Sequence, residues 1–109
     1  MAKYVLQKSV NGQYHFSLQA DNGEKVLSSE MYTSKQGALN GIQAVKLNSP
    51  YDQRYVKKVS VRGLPYFVLT STNNEIIGTS EEYSTTIARD NAIALVKRIA
   101  PTAPTEDRT

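Results

Sequence analysis

Three groups of residues in this chain have the types and spacing that chemistry uses. The first is His15, the one imidazole among 109 residues that include no cysteine. With one imidazole and no thiol, the sequence excludes disulfide scaffolds, thiol nucleophiles, cysteine zinc sites, multi-histidine metal sites and most nucleophile-base pairs. His15 falls on the polar side of an alternating stretch, so it reads as a surface aromatic rather than a catalytic base. The second group is a carboxylate and a phenol two residues apart, Glu30 with Tyr32 and again Glu81 with Tyr83, each just ahead of a stretch with helical spacing. Such a pair can move protons. Carboxylates also favour helix N-termini by roughly 0.3–1 kcal/mol, and tyrosine packs strand-to-helix corners, so the structural role is the one expected. The third group is Arg54, Lys57, Lys58 and Arg62, which with Asp52 give residues 51–63 a charge of +3, equal to that of the whole chain. Beside Tyr51, Tyr55 and Tyr66 they resemble a surface for single-stranded nucleic acid, where bases stack and phosphates pair. Four cations support a salt slope of at most about −3, and lysines equally protect an edge or solvent-facing strand.

No glycine-rich phosphate loop, H-E-x-x-H, G-x-S-x-G or EF-hand pattern occurs. The residues thus predict no enzyme, no catalytic residue, no cofactor and no metal.

The elements that position these groups come from an internal duplication. At an offset of 51, residues 4–50 match residues 55–101 without a gap at 17 of 47 positions, where average amino-acid usage gives ~3 by chance. The matches include Tyr4/Tyr55, Val5/Val56, Gly12/Gly63, Phe16/Phe67, Leu18/Leu69, Ser29/Ser80, Glu30/Glu81, Tyr32/Tyr83, Asn40/Asn91 and Pro50/Pro101. Each copy opens with an alternating, β-branched strand at 4–10 or 55–61. A second strand follows, with Phe16 and Leu18, or Phe67 and Leu69, on one side. The turn at 21–23 or 72–74 ends in Gly23 or Asn74, residues that tolerate positive φ. A three-residue loop with a bulge would place Leu18 opposite Val26 and Leu69 opposite Ile77.

Thr33-Ser34 and Ser84-Thr85 then offer N-caps, and Thr33 with Gln36 a capping box. Ala38, Ile42 and Val45, like Ala88, Ala92, Ile93, Val96 and Ile99, follow at helical spacing up to Pro50 and Pro101. Asn40 and Asn91 are poor helix formers in mid-helix. They are expected to be buried and to satisfy backbone groups of a neighbouring loop or strand. Three strands and a helix, twice, make an α+β protein rather than a doubly wound sheet. Residues 1–109 form one domain of two repeats, with 102–109 a last strand or a frayed tail, since Pro101 and Pro104 leave that segment few amide donors.

The stretches NGEKVLSSEMYTSKQGALNGIQAVK (22–46) and NNEIIGTSEEYSTTIARDNAIALVK (73–97) resemble the repeat of the small bacterial YegP-like proteins of the UPF0339 family, known as DUF1508. The resemblance covers nearly the whole chain. It implies β-β-β-α-β units, as two subunits or a tandem pair, that share one antiparallel sheet by exchanging their C-terminal strands, with both helices on one face. On this chain, residues 51–61 would serve both units and the tail around Thr102–Arg108 would supply the last strand. The family implies a fold and no particular activity.

Such a sheet leaves one face open. In the first copy that face reads His15, Ser17, Gln19, Lys25 and Leu27; in the second it reads Tyr66, Val68, Thr70 and Ile76, which is more apolar. An apolar patch on an open sheet marks a partner site, so the leading expectation is a non-enzymatic binding module that meets an unknown protein partner through Tyr66, Val68, Thr70 and Ile76. The alternative is weak single-stranded nucleic-acid binding through Arg54, Lys57, Lys58 and Arg62. The first ten residues lack the apolar core of a secretory signal. The longest apolar run, Ala92–Val96, is far short of the roughly 20 residues that span a bilayer. A cytoplasmic monomer with internal pseudo-two-fold symmetry and no membrane contact is expected.

Overall fold

Alternation decides which face of each strand turns inward. The computed structural model describes residues 1–109. In β1 (Lys3–Lys8) Tyr4 and Leu6 enter the core, in β2 (Tyr14–Gln19) Phe16 and Leu18 do, and in β5 (Pro65–Thr70) Phe67 and Leu69 do. The remaining strands are β3 (Lys25–Ser28), β4 (Tyr55–Val59), β6 (Ile76–Thr79) and β7 (Thr105–Asp107). They form one sheet in the order β4-β5-β6-β3-β2-β1-β7, with the two halves joined where Ser28 faces Thr79. Helices α1 (Lys35–Asn48) and α2 (Thr86–Ile99) lie over the core-facing side. One core of 17 buried residues draws on both repeats. The expected α+β class, tandem units, shared sheet and strand exchange are all present.

One edge of the sheet departs from the antiparallel expectation. β7 runs parallel to β1, with Tyr4, Val5 and Leu6 opposite Thr105, Glu106 and Asp107. The tail is the sequence equivalent of the start of β4, and both strands leave a helix. The strand leaving α1 pairs directly with β5, and symmetry would pair the tail with β2. That place is held by β1, which runs in the same direction. The tail therefore docks outside β1, in parallel, and the sheet is mixed.

The tight turns form as expected, and the register beyond them does not. The Ala20 N–H donates to the Glu24 carbonyl at 2.8 Å, and the Ser71 N–H to the Glu75 carbonyl at 2.9 Å, closing three-residue loops. Gly23 (φ 83°) and Asn74 (φ 67°) hold the left-handed position of each loop. A bulge then falls between Leu18 and Gln19, and between Leu69 and Thr70, so Leu18 faces Leu27 and Leu69 faces Gly78. The extra residue turns Val26 and Leu27 both into the core, removing Leu27 from the open face where alternation put it. The bulge is accommodated by Gly78: a Cβ there would lie 2.6 Å from Leu27 Cδ2.

Ser34 and Thr85 cap the helices, their hydroxyls accepting the N–H of Gly37 and of Ala88 at 3.0 Å each. With Ser34 as the cap, the Thr33–Gln36 box does not form, and the Gln36 amide donates to Asn40 Oδ1 at 3.0 Å instead. Asn40 and Asn91 are exposed, which corrects the expectation of buried amides: each sits one residue before the small Gly41/Ala92 position, and the helix turns it to water. The buried amide is Asn48, whose Nδ2 donates to the Ala44 carbonyl at 2.8 Å. Two tyrosines tie the repeats together. The Tyr4 hydroxyl donates to the Ala100 carbonyl beyond α2, and the Tyr55 hydroxyl to the Ser49 carbonyl beyond α1, each at 2.7 Å. Burial pushes both phenols well above the ordinary tyrosine range.

Candidate functional site

The paired Glu and Tyr positions build corners. Ser29 Oγ accepts the Phe16 N–H at 2.8 Å and donates to the Glu30 carbonyl at 2.7 Å; Ser80 does the same with Phe67 and Glu81, at 2.9 and 2.8 Å. Those serines were visible as repeat identities, but only the fold reveals that they pin the strand end. Tyr32 stacks on Phe16 with ring centroids 6.3 Å apart and fills the space over Gly41, where a Cβ would lie 2.3 Å from its hydroxyl. The Tyr32 phenol is raised first by burial, then by Glu30 and by Glu75 of the other repeat; Tyr83 is raised by burial, then by Glu81 and Glu24. Glu30 and Glu81 themselves are exposed. Neither phenol is hydrogen-bonded to a carboxylate of these corners, and Tyr32 packs on Phe16.

The open face is organised by a row crossing the whole sheet: Glu106, Val5, Ser17, Ser28, Thr79, Val68 and Val56 stand opposite one another in turn. His15 flanks this row opposite Gln7 and is half-buried. In the second repeat Val68 is 3 % exposed and Thr70 is 6 % exposed, which removes both from the apolar patch expected at Tyr66, Val68, Thr70 and Ile76. Val68 stands in the row between Thr79 and Val56 on the flanking strands. The Thr70 hydroxyl donates to the Arg54 carbonyl at 2.9 Å. Tyr66 stays half-buried and Ile76 is 40 % exposed. Val56, not singled out by the sequence reading, is 42 % exposed. A shallow depression of about 340 Å³ beside Tyr66 is lined by Ser60, Val61, Thr79, Ser80 and Glu82.

The basic segment does not form one patch. Lys57 faces Phe67 and so lies on the helix side, while Lys58 faces Tyr66 on the open side, as the two-residue period of a strand requires. Lys57 pairs with Asp90 at 3.3 Å and Arg62 with Glu82 at 2.9 Å. The Asp90 carboxyl is held below the ordinary range by its hydrogen bond to Arg89, with Lys57 adding to it. The largest depression, about 430 Å³, is lined by Asp52, Tyr55, Lys57, Asp90, Ile93, Ala94 and Lys97. Its two carboxylates are each paired with a lysine, Asp52 with Lys97 and Asp90 with Lys57.

The two outer strands of the repeats differ most. β1 is covered by β7 and its flanking residues: the Pro104 carbonyl accepts the Tyr4 N–H and the Arg108 N–H donates to the Leu6 carbonyl, both at 2.8 Å. Lys3–Glu106 at 2.8 Å and Lys35–Asp107 at 2.6 Å fasten it. β4 has β5 on one side and no strand on the other.

A family model described as "Domain of unknown function (DUF1508)" matches residues 9–55 and again 61–107. A UPF0339 protein of Bordetella pertussis is 51% identical over all 109 residues, 100% of this chain and 98% of its own length. The chain belongs to the UPF0339 family. Another member, YegP of Escherichia coli, is 43% identical over 97% of this chain and 96% of its own. Two solution NMR structures of UPF0339 proteins are similar to the fold. The one from Shewanella oneidensis has a TM-score of 0.91 at 49% identity, covering 97% of this chain and 90% of that one. YegP has a TM-score of 0.93 at 42% identity, covering 99% and 93%. The UPF0339 fold thus accounts for the whole chain, α+β with one seven-stranded mixed sheet and two helices. None of its helices is long and apolar enough to cross a membrane.

Proposed function

We infer that this UPF0339 protein is a non-enzymatic protein-interaction module that works through the open side of its second repeat, around Val56, Tyr66 and Ile76. One observation carries the reading: Val5 is 1 % exposed, whereas its repeat equivalent Val56 is 42 % exposed. The same residue at the same strand position is covered in one copy and bare in the other. Exposed apolar side chains gathered on one side of a small domain are the signature of a docking surface. The nucleic-acid reading is weaker, because Lys57 and Lys58 project to opposite faces and two of the four cations already have carboxylate partners.

The test is capture of partners from native lysate on immobilised protein, comparing the wild type with a Val56→Ser/Tyr66→Ala/Ile76→Ser variant and with Val10→Ser, an exposed apolar residue of the first repeat. Partners held by the wild type and by Val10→Ser but lost from the triple variant are expected. An identical set on all three would sink the reading.

A further inference from the structure

A strand edge whose outward backbone groups lack a neighbour is a template for another strand. The first repeat displays such a template occupied. On β1, Tyr4 and Leu6 turn their backbone groups to β7, and Lys3 meets the Glu106 carboxylate. β4 pairs with β5 in the register that β1 has with β2, Tyr55 opposite Leu69 as Tyr4 is opposite Leu18. Tyr55 and Lys57 therefore turn their backbone groups away from the sheet. The short 3-10 turn Asp52–Arg54 closes one of these groups, since the Tyr55 N–H donates to the Asp52 carbonyl. The Tyr55 carbonyl and both groups of Lys57 remain on the rim. In sequence, Arg54 stands where Lys3 stands, and Lys57 and Lys58 follow it.

The geometry points to β4 as an acceptor edge that takes an extended acidic segment of a partner protein as an eighth strand, parallel to β4 as β7 is to β1. The backbone of Tyr55 and Lys57 supplies the ladder, and the carboxylates of the incoming segment meet Arg54 and Lys58. Acidity is required by the charge of the rim, and β7 carries the same chemistry where it lies against Lys3 and Lys35. A second copy of β4 is disfavoured, because it would set Lys57 and Lys58 against their own kind. The acceptor role rests on the interaction reading above and adds the partner's chemistry and its mode of attachment.

The experiment titrates isotope-labelled full-length protein with a synthetic peptide Ala-Pro-Thr-Glu-Asp-Arg, the sequence of residues 103–108, and follows backbone amide shifts. Two control peptides carry N-methyl groups on Glu and Arg, or lysine in place of Glu and Asp. Saturable shifts over Tyr55–Val59, largest at Lys57, are expected with the parent peptide and with neither control. An Arg54→Glu/Lys58→Glu variant should bind about fivefold more weakly. The N-methylated control leaves the protein intact, so it decides the matter even if that variant misfolds. Shifts on β1 instead of β4, equal binding of the N-methylated peptide, absence of saturable shifts at millimolar peptide, or peptide-independent dimerisation through the same amides would each overturn the acceptor edge. If partner capture still depends on Val56, Tyr66 and Ile76, only the edge falls; if that dependence is lost too, the interaction reading falls with it.

Discussion

β1 and β4 are copies of one strand, with Tyr4/Tyr55 and Val5/Val56 identical, yet three consecutive residues of β1 are buried and none of β4 is. The difference lies beyond the strands themselves. β7 lies against the rim of β1 and nothing lies against β4. The sequences then follow the environment: Leu6, fully buried, has Lys57 as its equivalent. A duplicated strand does not carry its burial with it, because burial depends on what the rest of the chain places alongside.

Four experiments test contrasts between the two repeats. Leu6→Ala should cost about 2–5 kcal/mol, the cost of an unfilled core site, whereas Lys57→Ala should stay within about 0.5 kcal/mol. Urea unfolding measures both, and equal losses would mean that the two rims are not different environments. Removing residues 104–109 should cost about 1–3 kcal/mol, since several backbone hydrogen bonds at 0.5–1.5 kcal/mol each are lost. Amide exchange at Leu6 should then approach that at Lys57; if it stays slow, β7 is not what protects β1. A third contrast concerns the helices. Gly41→Ala should destabilise by about 1–2 kcal/mol through overpacking, because its Cβ would meet the Tyr32 ring and approach Phe16 Cε2 to 3.0 Å. The equivalent Ala92 already fills that place in α2 and is buried in the core, so Ala92→Gly should cost about 1–2 kcal/mol through helix propensity and the lost methyl.

The smallest effect is a pH dependence of the covered rim. Lys35 holds the Asp107 carboxyl well below the usual carboxylate range, with hydrogen bonds from Thr109 adding to it, and Lys3 followed by Arg108 lowers Glu106. A folded-state pKa below the unfolded one contributes stability above about pH 4 and loses it as pH falls further through the folded value. Amide shifts of Thr105–Asp107 should therefore move toward disordered values between about pH 4 and pH 2, while β4, which loses only the Lys57–Asp90 side-chain pair, keeps its strand shifts. Glu106→Gln/Asp107→Asn should abolish the transition, and its persistence would assign the acid response to another group.

What was legible in the sequence is what short-range pattern encodes. The alternation of Phe16 and Leu18, the cap at Ser34, the left-handed turn residues Gly23 and Asn74 and the prolines past each helix act within a few residues of themselves. The split of Lys57 from Lys58 was legible too, since adjacent strand residues always face apart. The bulge was not. It depends on Gly78 meeting Leu27 across the repeats, a contact between residues 51 positions apart in sequence. Asn40 and Asn91 misled for a related reason: a repeated polar residue in a helix signals burial or exposure alike, and only the angle at which the helix meets the sheet decides.

Two copies of a strand-strand-strand-helix unit are written into the sequence, because periodicity, capping and turn chemistry are local and the duplication states them twice. Which rim is covered is settled by how the strands compete for places in the sheet. After α1 the chain runs on as the first strand of the second repeat, so β4 must serve both units. After α2 the place beside β2 is already taken by β1, so the tail adds outside it. That competition for one position in the sheet leaves Val5 sealed and Val56 bare, and no pattern within either copy records it.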